Sequence, residues 1–204
     1  MANNSAFERP AVFLLEAVGK KVWGFKPNIM SHFVRQKGPV QSVSWFVGNA
    51  PRYERILKDW GPLRTHLIAA TISTLNGCQY STEGHIRAFQ LHYLQIHNRL
   101  FPIDDETFFS LTILPPDEMV EGIVEVLIAA DLSSETGPLR RAFELYVYPH
   151  KAMDHRDDRL LHLIKMFATL NECGITSRAK LDQTHDPINR NQRLRDRYLA
   201  LRGA

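Results

Sequence analysis

Gly61-Pro62-Leu63-Arg64-Thr65-His66-Leu67-Ile68-Ala69-Ala70-Thr71-Ile72-Ser73-Thr74-Leu75 is the stretch that decides how this chain folds. Proline directly after glycine suits the first helical position, where a backbone N–H would have no partner in any case. From Leu63 to Leu75 the apolar side chains go nearly all the way round a helical projection, which marks a buried central helix. Such a helix has to be wrapped by others, and the flanking sequence supplies them.

Ala11–Val22 reads as a first helix with Val12, Leu15 and Val18 on one face, interrupted around Gly24 to Pro27. Val40 to Val47 is the only strand-like run. It is bounded by Pro39 and by the cluster Gly48-Asn49-Ala50-Pro51, and helix or loop is the preferred reading. After Gly77 a helix continues through His85, Phe89, Leu91, Tyr93, Leu94 and Ile96 and ends before Pro102. Asp104-Asp105-Glu106 and Pro115-Pro116-Asp117-Glu118 place acidic residues at two further helix starts. The second leads into Met119–Ala130, where Val120, Ile123, Val124, Leu127 and Ile128 form a helical stripe. Three more helices are expected from Gly137-Pro138 to Tyr148, from Asp157 to Leu170 and from Gln192 to Leu201. Period-two alternation is nearly absent, so the expected fold is all-α, a single helical domain over residues 1–204.

An internal echo bears on architecture. His66-Leu67-Ile68 precedes Thr74-Leu75-Asn76-Gly77-Cys78, and His162-Leu163-Ile164 precedes Thr169-Leu170-Asn171-Glu172-Cys173. The copies differ by one residue in the intervening stretch, a rotation of about 100° on a helix. An internal duplication and chance similarity of leucine-rich helices are both open readings, and strict equivalence of the two sites is excluded.

Composition narrows the function classes. The 204 residues are 44% hydrophobic and 23% charged with a net charge of +3, which fits a folded globular chain and gives no footing for nucleic acid. The terminal arginines Arg190, Arg193, Arg195, Arg197 and Arg202 alternate with polar residues as on a solvated helix face. No apolar run reaches the roughly 18 residues of a membrane span, and Met1 to Pro10 lacks the pattern of a leader. Two cysteines, Cys78 and Cys173, are too few for a disulfide framework, so a cytoplasmic protein is expected. His85 and His92, like His155 and His162, are seven residues apart, about 10 Å along a helix and too far for one ion. Neither a metal site nor a cofactor site is expected.

The chemistry is concentrated in Asn76-Gly77-Cys78-Gln79-Tyr80-Ser81-Thr82-Glu83-Gly84-His85. On a helix Cys78, Ser81 and His85 stand at i, i+3 and i+7 and share one face. A serine occupies the place of the second cysteine of a C-x-x-C pair. Glu83 is available as a carboxylate to orient a histidine, and Cys173-Gly174 reads as a helix end closed by glycine.

His66, then Cys78-x-x-Ser81-x-x-x-His85 on a buried helix, a turn and a second helix, resembles the alkylhydroperoxidase D-like and carboxymuconolactone decarboxylase superfamily. The likeness covers mainly Pro62 to Leu100, and Leu75-Asn76-Gly77-Cys78 is its most specific tetrad. It implies an all-helical protein that assembles as a dimer, trimer or hexamer. It also implies a resolving thiol at Cys78, the peroxide-attacking position at Ser81, the family histidine at His85 and the proton-relaying position at His66. Two of those positions depart from the peroxidase pattern, since His66 replaces a glutamate and Ser81 replaces the nucleophile.

Peroxide reduction passes through a sulfenic acid that a second thiol resolves, and a serine hydroxyl cannot take that part. The expected activity is therefore a peroxidase-related thiol redox reaction centred on Cys78 and His85, altered by Ser81 and resolved by an external thiol. Its substrate would be a hydroperoxide. A second expectation is a decarboxylase or isomerase in which His85, with His66, moves a proton on a small organic acid or lactone. A non-catalytic oligomer that binds an apolar ligand in the same pocket is the third.

Overall fold

The computed structural model describes residues 5–203; the first four residues of the Met1 to Pro10 stretch read above lie outside it. Among the described residues there are helices and no strand. The helices are α1 (Ser5–Trp23), α2 (Ile29–Lys37), α3 (Pro39–Trp60), α4 (Pro62–Leu75), α5 (Gln79–His97), α6 (Asp105–Ser110), α7 (Pro116–Ala129), α8 (Thr136–Val147), α9 (His155–Ser177) and α10 (Gln192–Arg202). The all-α expectation is met.

The centre is the hairpin of α4 and α5. Every residue of α4 from Thr65 to Thr74 is buried, as its all-round apolar pattern requires. The helix ends in a Schellman arrangement. Gly77 takes φ of 71°, its N–H donates to the Thr74 carbonyl, and the Cys78 N–H reaches back to the carbonyl of Ser73. Positive φ at that point is what calls for glycine.

Core layers lie on both sides of this hairpin. Leu67, Ile86, Phe89 and Tyr93 pack with Val120, Ile123 and Leu127 of α7 on one side. Ile68 and Ile72 pack with Tyr53 and Ile56 of α3 and with Leu163 and Phe167 of α9 on the other. Burying each large aliphatic or aromatic side chain contributes about 1.5–3 kcal/mol. A third cluster gathers Leu15, Phe33, Cys78 and Cys173 where α1, α2 and α9 meet the hairpin turn.

Three boundaries differ from the sequence reading. The Gly48-Asn49-Ala50-Pro51 cluster does not interrupt a segment; it lies within α3, as does Val40 to Val47. Proline inside a helix costs roughly 3 kcal/mol, and burial of Tyr53 and Ile56 one turn further on outweighs that loss. Second, α1 begins before Ala11 and takes in Pro10 near its start. Third, Cys173-Gly174 is not a helix end, because α9 continues to Ser177 and closes at Arg178 with φ of 48°. Gly174 serves packing instead, since a Cβ there would lie 2.9 Å from the Cys78 sulfur.

The segment between α9 and α10 then crosses back over α5. Asp186 caps a short 3-10 turn, Pro187–Arg190, by accepting from the Ile188 N–H. Gly84 permits the crossing, because a Cβ at that position would overlap the ring of His185.

Candidate functional site

Three segments bring four side chains into one polar cluster. His66 comes from the first turns of α4, His85 and His92 from positions two turns apart on α5, and Asp186 from the strap that follows α9. His66 Nε2 lies 2.8 Å from Asp186 Oδ2, and His66 Nδ1 lies 3.0 Å from His85 Nδ1. His92 Nε2 approaches the other carboxylate oxygen at 3.1 Å. The sequence pairing of His66 with His85 is thus a direct hydrogen bond, although they are 19 residues apart.

The electrostatics fix which nitrogens carry protons. Burial alone would raise the Asp186 pKa, but hydrogen bonds from His66 and His92 more than offset it and hold the carboxyl far below its usual range. Burial pushes His66 down, with only part of that restored by Asp186, so the ring is neutral at pH 7. His85 is pushed down further, by burial first and then by His66 and His185. An ionised carboxylate can only accept, so the single hydrogen of neutral His66 sits on Nε2 and its Nδ1 is bare. His85 must then donate from Nδ1. Its Nε2 is left with a free lone pair and makes no hydrogen bond among the described residues.

His85 also forms part of the wall of a cavity of about 130 Å³ between α1, α3 and α9. A cavity of about 150 Å³ is large enough for benzene. The buried Phe167 holds the imidazole edge to face, with centroids 4.8 Å apart at 88°. Tyr53 packs edge to face with Phe167 at 6.1 Å and lines the same cavity. Tyr53 is kept protonated, by burial first and by the nearby Asp186 and Glu54 carboxylates. Exposed Val18, Ala50 and Glu54 lie at its mouth.

Cys78 is placed differently from the sequence expectation. It is not helical but caps α5, with φ of −96° and ψ of 94°, so the assumed helical spacing to His85 starts one residue too early. Its sulfur contacts Ser81 Oγ at 3.6 Å and fills the space that a Cβ at Gly174 would need, and the residue is 1% exposed. Burial raises the thiol pKa despite lowering contributions from Ser81. Neither Cys78 nor Ser81 lines the His85 cavity.

The remaining candidates have other partners. Glu83 orients no histidine; it accepts from Gln79 Nε2 at 2.7 Å and lies beside Arg87. The histidine-orienting carboxylates are Asp186 and Asp182, the latter accepting from Tyr80 at 2.7 Å and lying 2.8 Å from His185 Nε2. Arg64 is held by Glu135 and Arg87 by Asp105, so neither is a free cationic clamp. His66, His92 and Asp186 are metal-ligand residue types whose ligating atoms lie within 4.8 Å of one another, a grouping that spacing along α5 alone did not reveal. Hydrogen bonds among these three account for their positions.

Asp186 and His185 were missed because 120 residues separate Asp186 from His66. Two signals pointed to them. Asp182, His185 and Asp186 crowd titratable groups into five residues of an otherwise polar loop, and Gly84 is a glycine in mid-helix, a costly choice that marks close approach of another segment. No family model, no curated protein and no solved structure matches this chain.

Proposed function

We propose that the protein is an acid–base enzyme of the lyase or isomerase type, in which His85 moves a proton on a small molecule held in the cavity. The observation that carries this reading is the hydrogen-bonded chain from Asp186 through His66 to His85, ending on the cavity wall. His85 Nε2 takes a proton from the substrate and becomes an imidazolium. Its Nδ1–H bond to His66 strengthens, and the ionised Asp186 behind His66 stabilises the positive charge without itself becoming protonated. Return of the Nε2 proton to a second atom of the substrate, or to the leaving fragment, completes the cycle.

General acid–base catalysis contributes about a hundredfold to ten-thousandfold. The test is hydrogen–deuterium exchange into a panel of small carbon acids, both neutral and cationic, in heavy water. Exchange that falls by at least about a hundredfold in His85→Ala supports the assignment, and exchange that is undiminished overturns it.

The thiol reading that the family resemblance implies is a second proposal. Its support is the position of Cys78 at the N-terminus of α5, where a helix dipole favours a thiolate. Fast, His85-dependent alkylation of Cys78 would favour it over the acid–base reading. Self-association is also proposed, supported by exposed Phe13, Leu14 and Val18 on α1 and Val40 and Val47 on α3. Light scattering coupled to size exclusion at micromolar concentration tests it, and a strict monomer counts against it.

A further inference from the structure

We propose that the ligand of the His85 cavity is a small organic cation, an alkylated ammonium group, instead of a neutral or anionic compound. The assignment rests on reading the cavity as the substrate site and names the charge class it selects.

Two observations carry it. The first is the aromatic lining. Trp23, Trp45, Phe46, Tyr53 and Phe167 all contribute to the wall. Trp45 and Phe46 meet at 81° with centroids 4.9 Å apart, and Tyr53 and Phe167 meet at 79°, so two pairs of rings stand nearly perpendicular. Aromatic walls attract quaternary and alkylated ammonium groups, because each ring face carries negative charge density while the alkyl groups keep apolar contact. A cavity near benzene size matches such a head group.

The second observation is the sign of the charges. Among the described residues no lysine or arginine lines the cavity, and the one charged lining residue is Glu54 at the mouth. Behind the inner wall lies the Asp186 carboxylate, two hydrogen bonds away through His66 and His85. An anion entering there would meet negative charge at both ends. A cation would meet attraction at both ends.

Isothermal titration calorimetry with choline and its uncharged isostere, in which a quaternary carbon replaces the ammonium nitrogen, separates charge from shape. Choline is expected to bind the wild-type protein about tenfold more tightly than the isostere, in the range of a desolvated cation–π contact. Raising the salt to physiological strength should weaken choline selectively. Glu54→Gln, a change at an exposed position, should narrow the preference by about threefold. Equal or tighter binding of the isostere overturns this inference and leaves the proton-transfer reading standing. Failure of both compounds to bind at millimolar concentration overturns the inference together with the use of the cavity as a substrate site.

Discussion

Replacing Asp186 by asparagine inverts the direction of every hydrogen bond between it and the cavity. In the native protein Oδ1 accepts from the Ile188 N–H and faces His92, while Oδ2 accepts from His66. The amide oxygen of asparagine keeps the Ile188 and His92 contacts, which leaves an NH2 group facing His66 Nε2. That nitrogen must give up its hydrogen and become the acceptor. The hydrogen of His66 then sits on Nδ1 and donates to His85, so the His85 hydrogen is displaced to Nε2. The base on the cavity wall is lost although no atom heavier than hydrogen need move. Charge-assisted bonds are worth about 1.5–3 kcal/mol against about 0.5–1.5 for neutral ones. Relief of the buried charge works in the opposite direction, so the net destabilisation is about 1–3 kcal/mol. For a chain of this length that lowers Tm by roughly 3–10 °C. Proton transfer at His85 should fall by up to about ten-thousandfold, the loss seen when the same change leaves a catalytic histidine in the wrong tautomer. Thermal unfolding and proton–nitrogen correlation spectra of the imidazoles read both effects. An unchanged Tm together with an unprotonated His85 Nε2 in Asp186→Asn would refute the reasoning.

Gly84→Ala should destabilise the protein by more than about 1 kcal/mol, because the new methyl overlaps the His185 ring and the roughly 1 kcal/mol gain in helix propensity cannot offset displacement of the strap; equal or higher stability in a denaturant titration would contradict the close packing. Alkylation of Cys78 in the native protein should be slower than that of a free cysteine and show a thiol pKa above about 8.5, since burial raises it; rapid labelling at neutral pH would move the chemistry to the thiol. Stability should fall as the pH is lowered from about 6.5. The folded values of His66 and His85 lie below the ordinary histidine value, so in that window the unfolded chain binds more protons than the folded one. Each histidine then adds a slope of up to about 1.4 kcal/mol per pH unit. Chemical denaturation between mildly acidic and neutral pH checks this, and a flat profile would mean that neither histidine changes its proton affinity on folding.

What could be read from the letters was local. Gly61-Pro62 and the all-round apolar pattern of Leu63 to Leu75 placed the central helix, and the acidic starts at Asp104 and Pro115 placed α6 and α7. Readings failed where tertiary contact overrides a local signal. Pro51 resides in a helix because Tyr53 and Ile56 are anchored in the core, and Gly174 is in mid-helix because the Cys78 sulfur presses on it. Gly77 was visible, but its consequence for Cys78 was not. Positive φ turns the chain so that Cys78 caps the next helix and buries its sulfur, while His85, two turns on, lines a cavity that Cys78 does not reach. His66 and His85 were singled out by spacing, and the structure joins them. The carboxylate that orders them could not be found by periodicity, because it arrives on a strap fixed by long-range packing over Gly84.

Proton–nitrogen correlation NMR of the histidine rings in the unmodified protein at neutral pH tests the central claim most directly. His85 is expected to carry its hydrogen on Nδ1, bonded to His66, with its Nε2 unprotonated. A hydrogen on Nε2 of His85, with Nδ1 bare, would contradict it and remove the base from the cavity wall.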